Sequence, residues 1–248
     1  MNYTLRLLNS GFIVDGRHTL PRHKGRQWST RPPDKLKGMV LHQSLEDSGS
    51  ARAIALYHVG ANHISQDGLP GLSYTLFIER NGKVILANDV EAKTWSQGYL
   101  DPGGVDENAL YIGACVGGNF SGPAYKGTQR PSQEQMDSVD KLWKLCRDLW
   151  GWSGTGLFGH FHFGKPACPG ADLLEYIYSH RPYQFMSVME KQMALSRLGY
   201  YGGRTDGVWG TRSKSALVAF QRVEGLKPDG VWGPLVTTTV LSKISRTG

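Results

Sequence analysis

Five consecutive residues, Asp-Gly-Val-Trp-Gly, occur twice near the end of this 248-residue chain, at 206–210 and at 229–233. The copies are 23 residues apart, the spacing of a duplicated unit of one helix and one turn. An amphipathic pattern follows each copy: Thr211–Glu224 after the first and Pro234–Lys243 after the second. Val188–Leu198 provides a third helical pattern ahead of both. The spacing therefore predicts a small all-α unit over 188–245, three helices joined by two like turns, with 183–187 as a linker. The tryptophans of the repeat have a structural use as anchors of their turns.

The rest of the chain has other periods. Gly38–His42 is a short apolar run bounded by polar residues, which reads as a buried strand ending in a histidine. Ala51–Asn62 has helical spacing. Leu72–Arg80 and Lys83–Asn88 flank Asn81-Gly82, a strong hairpin signal. Alternation along the first arm places Tyr74 on the face of Leu76 and Ile78. Asn108–Phe120 reads as another buried strand. Pro131-Ser132 opens the clearest helix, with Ser132 and Gln135 as a capping box and Gly151 as its stop. Ala171–His180 is a further helix, and residues 1–36 are an irregular lead-in with one short strand. These elements predict an α/β domain over 1–182, a mixed central sheet flanked by helices, with its core at about 28–182.

Chemistry concentrates in Gly159–Gly170, GHFHFGKPACPG. Its glycines and prolines exclude a helix and shape a loop. His160 and Cys168 are ligand types that suit zinc, and a catalytic zinc takes a third protein ligand from elsewhere. His42, at the end of its strand, is the candidate. Cys115 and Cys146 fall in apolar patterns as core residues, and three cysteines make no disulfide framework. Trp95 lies in the loop Ala92–Gly98, either lining a cleft or packed.

Net charge is +7, of which the segment from Met186 onward carries +5, nine Lys/Arg against four Asp/Glu. That suits an anionic polymer: nucleic acid, anionic lipid or bacterial cell wall. The tail lacks helix-turn-helix or zinc-finger spacing and spreads its basic residues over three helices, which argues against nucleic acid. No run is long enough to span a membrane, and the first residues lack the pattern of a signal peptide.

Residues 28–182 resemble the zinc-dependent N-acetylmuramoyl-L-alanine amidases of the peptidoglycan-recognition type, a group that includes phage endolysins. The resemblance rests on Met39–His42, Ser73–Val84, Asn108–Gly113 and above all Gly159-His160 followed by Cys168-Pro169. It implies zinc held by His42, His160 and Cys168, with Tyr74 and a lysine near Cys168 assisting. Here Pro166 stands where the family's lysine usually lies, two residues before the cysteine. Lys165 is one residue earlier, so either Lys165 or His162 fills the second catalytic role. Trp95 and Asn108 are the implied substrate contacts. Residues 186–245 resemble a three-helix peptidoglycan-binding domain, which makes Tyr201, Asp206, Trp209, Asp229 and Trp232 its implied cell-wall contacts.

Together the two resemblances imply a monomeric peptidoglycan hydrolase cutting the bond between N-acetylmuramic acid and L-alanine. A phage endolysin that waits in the host cytoplasm and then reaches the periplasm and wall fits the lack of a signal pattern. A non-catalytic recognition protein and a zinc peptidase acting on another bond of the polymer are the alternatives. Removing residues 186–248 is expected to weaken wall binding more than cleavage of a soluble fragment.

Overall fold

The computed structural model describes residues 2–98, 104–122, 127–163, 165, 167–180 and 186–246. Strand β2 (Gly38–Gln43) is buried at every residue, as its apolar run requires. It runs parallel to β5 (Tyr111–Val116) on one side and to β6 (Leu157–Gly159) on the other. β3 (Leu76–Ile78) lies parallel to β5 and antiparallel to β4 (Val84–Leu86), so the hairpin forms around Asn81-Gly82. β1 (Ile13–Asp15) pairs with β4 and completes the sheet, in the order β1-β4-β3-β5-β2-β6.

Residues opposite one another in register share a face of the sheet. His42 faces Cys115, and Cys115 faces Phe77. That face is covered by helix α2 (Ala51–Val59), which buries Ala51, Ile54 and Ala55 there. The opposite face, with Met39, Leu41, Ile112 and Ala114, packs on α4 (Gln133–Trp150) through Val139, Leu142, Trp143 and Cys146. The capping box of α4 forms as its sequence predicts, and Gly151 ends it at φ 68°. Cys115 and Cys146 are both fully buried core residues.

Four local expectations are corrected. The lead-in contains α1 (Tyr3–Leu8), which has little periodicity of its own and is held by burial of Leu7 and by Tyr3 stacking on Trp150 at 4.5 Å. The segment from Asn108 begins with one turn of helix, α3 (Glu107–Leu110), because the buried Arg31 guanidinium donates to the carbonyls of Asn108 and Tyr111 at 2.6 and 2.5 Å. Tyr74 packs with Phe77 and Cys115, not with Leu76 and Ile78. Regular alternation starts only at Leu76, and the amides of Ala87 and Asn88 both donate to Thr75 O, the mark of a bulge. His160–Phe163 makes a single 3-10 turn within the loop that was expected to be free of helix.

Helix α5 (Ala171–His180) packs on β6 and on α8 (Pro234–Arg246). With α6 (Val188–Arg197) and α7 (Thr211–Val223), α8 forms the expected three-helix unit. Leu195, Leu217, Phe220 and Val240 join Leu173 and Ile177 in one continuous hydrophobic cluster. The helical unit is thus docked on the α/β part. Of the linker expected at 183–187, residues 183–185 lie outside the described residues; Met186 is buried, and Ser187 caps α6.

The repeated turns share one device. Gln192 Nε2 donates to Asp206 Oδ1 and Val208 O at 3.0 and 2.9 Å, while its Oε1 accepts from the Gly207 amide at 2.9 Å. Gln221 does the same to Asp229, Val231 and Gly230 at 3.0, 3.1 and 2.9 Å. Each turn is pinned by a buried glutamine of the preceding helix.

Candidate metal centre and substrate cleft

The end of β2 carries His42, fully buried, onto the face beneath Tyr74. The 3-10 turn after β6 brings His160 beside it, with ring centroids 4.5 Å apart. The loop then returns Cys168, whose Sγ lies 4.0 Å from His42 Nδ1. One ligand atom from each of the three residues falls within 4.8 Å of the others. Gly159 permits the return, because a Cβ there would meet Pro169 Cδ at 2.6 Å. Gly164 and Pro166, both singled out in the sequence, lie outside the described residues.

Neighbours orient each member. His160 Nε2 lies 3.2 Å from the Gln97 carbonyl, so that nitrogen carries the proton and Nδ1 keeps a free lone pair. The Gln43 amide lies 3.4 Å from Cys168 Sγ, and the Gln43 side chain bonds Ala167 O and the Phe120 amide. Gln43 thus clamps the cysteine loop to the strand end, a role invisible in a residue that reads only as the polar boundary of a strand. Gly113 leaves the room above β5, where a Cβ would come within 2.2 Å of Ser96 Oγ and 3.6 Å of Tyr74 Cδ1.

Burial sets the electrostatics. It drives His42 well below the ordinary histidine value, with His160 adding to the effect. It lowers His160 to about 4, opposed by the Gln97 bond and aided by the charge of Lys165. Both rings are therefore neutral, the ligand form. Burial pushes the Cys168 thiol up to about 12, against the pull of the Gln43 amide and Lys165. A bound divalent cation would reverse that and hold a thiolate. His42 Nε2 is buried with no hydrogen-bond partner, a costly condition for a polar atom. Two imidazoles and one cysteine converging within 4.8 Å fit a zinc-type ion.

Tyr74 sits over the cluster, its ring 5.1 Å from that of His42 and 6.0 Å from that of His58. Burial raises its pKa well above the ordinary value, reinforced by the two nearby cysteines, so its hydroxyl stays protonated and can donate. His58, whose position in a helical pattern suggested no role, accepts from the Ser73 amide at 3.1 Å and fixes the backbone next to Tyr74. Lys165 is exposed on the ligand loop.

Other expected site residues stand elsewhere. The ring of His162 turns away from the cluster: Nδ1 lies 3.0 Å from both backbone polar atoms of Gly159, and Nε2 lies against Glu190 of α6. Asn108 is buried; its Oδ1 accepts from Gln97 N at 3.0 Å and its Nδ2 donates to Gly98 O at 2.6 Å, so it holds the loop that orients His160. Trp95 is 50% exposed and, with Arg26, Gln27, Trp28, Leu69 and Pro70, lines a cleft of about 360 Å³ beside that loop. In the helical unit the polar atoms of Tyr201, Asp206 and Asp229 are engaged internally, because Gln192 and Gln221 require them. Trp209 and Trp232 pack edge to face at 6.1 Å as anchors of the two turns. A groove of about 460 Å³ lies nearby, lined by Tyr200, Tyr201, Gly202, Gly203, Thr211 and Arg212.

The fold thus brings a His-His-Cys cluster, its ligand atoms within 4.8 Å of one another, to one end of the sheet, with a helical unit docked beside it. Residues 31–171 match the N-acetylmuramoyl-L-alanine amidase family model, more than half of the chain, and the chain belongs to that family. Residues 187–239 match a peptidoglycan binding domain model. The protein is accordingly a peptidoglycan amidase with a peptidoglycan-binding unit.

Among solved structures, peptidoglycan recognition protein-LE in complex with tracheal cytotoxin is 14% identical with a TM-score of 0.51, covering 68% of this chain and 94% of its own. The similarity supports the fold. The endolysin amidase LysCS from Clostridium intestinale URNW is 21% identical, TM-score 0.48, covering 67% of this chain and 93% of its own. The Ph2119 endolysin from Thermus scotoductus MAT2119 bacteriophage is 17% identical, TM-score 0.49, covering 68% and 97%. No curated protein matches the chain by sequence.

Proposed function

We propose that the amidase is zinc-dependent, with His42, His160 and Cys168 as the ligands. The observation that carries this reading is the convergence of two neutral imidazoles and a cysteine within 4.8 Å of one another, with His42 and Cys168 buried. Zinc, when bound, polarises the scissile carbonyl and lowers the pKa of a coordinated water. Tyr74 keeps its phenolic proton and donates to the carbonyl oxygen as charge develops there. Lys165, on the ligand loop and exposed, adds positive charge and gives the leaving amine of L-alanine its proton from Nζ. We assign no proton transfer to His162, since its ring points away from the cluster, Nδ1 toward Gly159 and Nε2 toward Glu190.

The cleft of Trp28 and Trp95 takes the substrate, offering flat apolar rings beside arginine. On the helical unit, the groove lined by Tyr200, Tyr201 and Arg212 makes the wall contact, while Asp206 and Asp229 are engaged in the turns. We further read the protein as an endolysin that works on the wall after the host membrane is breached. Among the described residues no helix is long and apolar enough to cross a membrane.

The test is digestion of purified peptidoglycan with and without a chelator, followed by mass analysis. Stem peptides beginning with L-alanine, lost on chelation and restored by zinc, are the expected result. Cleavage that persists in chelator would overturn the zinc assignment.

A further inference from the structure

The mechanism leaves one buried titratable pair without a use. Glu190, in the first turn of α6, is 2% exposed, and His162 is 4% exposed. They meet across the boundary between the helical unit and the turn that carries His160. A carboxylate buried so deeply needs partners. Its Oε1 lies against His162 Nε2, and its Oε2 accepts from the Ser187 amide as half of the capping box of α6. On the far side of the imidazole, Nδ1 touches the backbone of Gly159, which is bonded directly to His160. Helix α6 packs on the same 3-10 turn, and Phe161 within it is buried. The ligand turn is therefore held from the cleft side by Gln97 O and from the rear by the Glu190–His162–Gly159 chain.

We propose that Glu190 is a positioning residue for the metal centre, so that the wall-binding unit also sets the affinity of the amidase for its metal. This rests on the reading of His42, His160 and Cys168 as metal ligands. Ligand-orienting groups normally sit in the same domain as the ligands; here one is supplied by the helical unit. The two units are then not separable modules. Removing residues 186–248 uncovers His162 and impairs cleavage of a soluble fragment as well as wall binding, contrary to the division of labour expected from the sequence.

The test uses the full chain with E190Q, which keeps an acceptor for the Ser187 amide and removes the carboxylate charge facing His162. Zinc affinity is measured by competition with a chelator, and amide exchange over Gly159–Phe163 is measured on the metal-free protein. The zinc Kd should rise about tenfold, the lower end of the range for residues that orient metal ligands. Exchange over 159–163 should quicken while that of α7 stays unchanged. H162Q approaches the same contact from the other side and should give the same shift. The double variant should be no worse than either single one, and this pair of comparisons decides the matter if E190Q folds poorly. Wild-type zinc affinity and exchange in both variants, even with a lowered melting temperature, would reduce Glu190 to a helix cap and overturn the proposal. If the wild type itself binds no zinc, the metal reading fails, and the exchange rates of the metal-free variants alone decide the contact.

Discussion

Asn108→Ala separates a buried positioning role from a substrate contact. The side chain is 5% exposed and makes two hydrogen bonds to the loop before residue 99, to Gln97 N at 3.0 Å and to Gly98 O at 2.6 Å. Alanine removes both. Gly98 is exposed, so its carbonyl can turn to water, whereas the Gln97 amide is buried and stays unpaired. One buried unsatisfied group costs about 1–3 kcal/mol, so the variant should lose about 2 kcal/mol in urea unfolding of the metal-free protein. The same loop presents Gln97 O to His160 Nε2, so loosening it should weaken zinc binding about tenfold. KM for a soluble muropeptide, measured at saturating zinc, should change little. Wild-type stability and zinc affinity combined with a raised KM would refute this reasoning and restore Asn108 as a substrate contact.

Three further outcomes are expected. Tyr74→Phe should lower kcat by about 10²–10³ while leaving zinc affinity unchanged, because it removes one donor to the developing oxyanion; unchanged kcat would remove Tyr74 from the mechanism. Burial, with a contribution from His63, lowers His58 to about 4, so the unfolded chain binds the extra proton between about pH 6.5 and 4. The stability His58 confers is full above pH 6.5 and is lost, by up to about 3 kcal/mol, as pH falls toward 4. Unfolding of the metal-free protein against His58→Gln checks this: the wild type should lose stability more steeply over that window, and equal slopes would count against it. Gln192→Leu leaves the half-buried Gly207 amide without its partner, while the carbonyl of exposed Val208 can turn to water, and should cost about 1–2 kcal/mol, with loss of sacculus binding. Binding that survives would show that the wall contact does not depend on the first turn.

Much of the fold was legible because local signals agreed with tertiary packing. The capping box of α4, the Asn81-Gly82 hairpin and the DGVWG repeat each carry their geometry in a few adjacent residues. The meeting of His160 and Cys168 was legible because His and Cys in a loop rich in Gly and Pro have few structural uses together. What the sequence concealed depends on contacts between distant segments. α1 exists through Trp150, and α3 through Arg31. The bulge at Thr75 turned Tyr74 to the opposite face and so placed it over His42. Gln43, Gln192 and Gln221 are ordinary polar residues in one dimension, and only the fold shows which backbone groups they satisfy. The surroundings of His162 were hidden for the same reason: its neighbours in sequence are ligand-loop residues, but in space it faces Glu190, 28 positions away.

The most direct test of the metal assignment is the X-ray absorption spectrum of the zinc-loaded protein. Zinc on His42, His160 and Cys168 should give a first shell with one sulfur at about 2.3 Å and two imidazole nitrogens at about 2.0–2.1 Å, with the sulfur lost in Cys168→Ser. A shell without sulfur in the wild type, or one unchanged by that substitution, would contradict it.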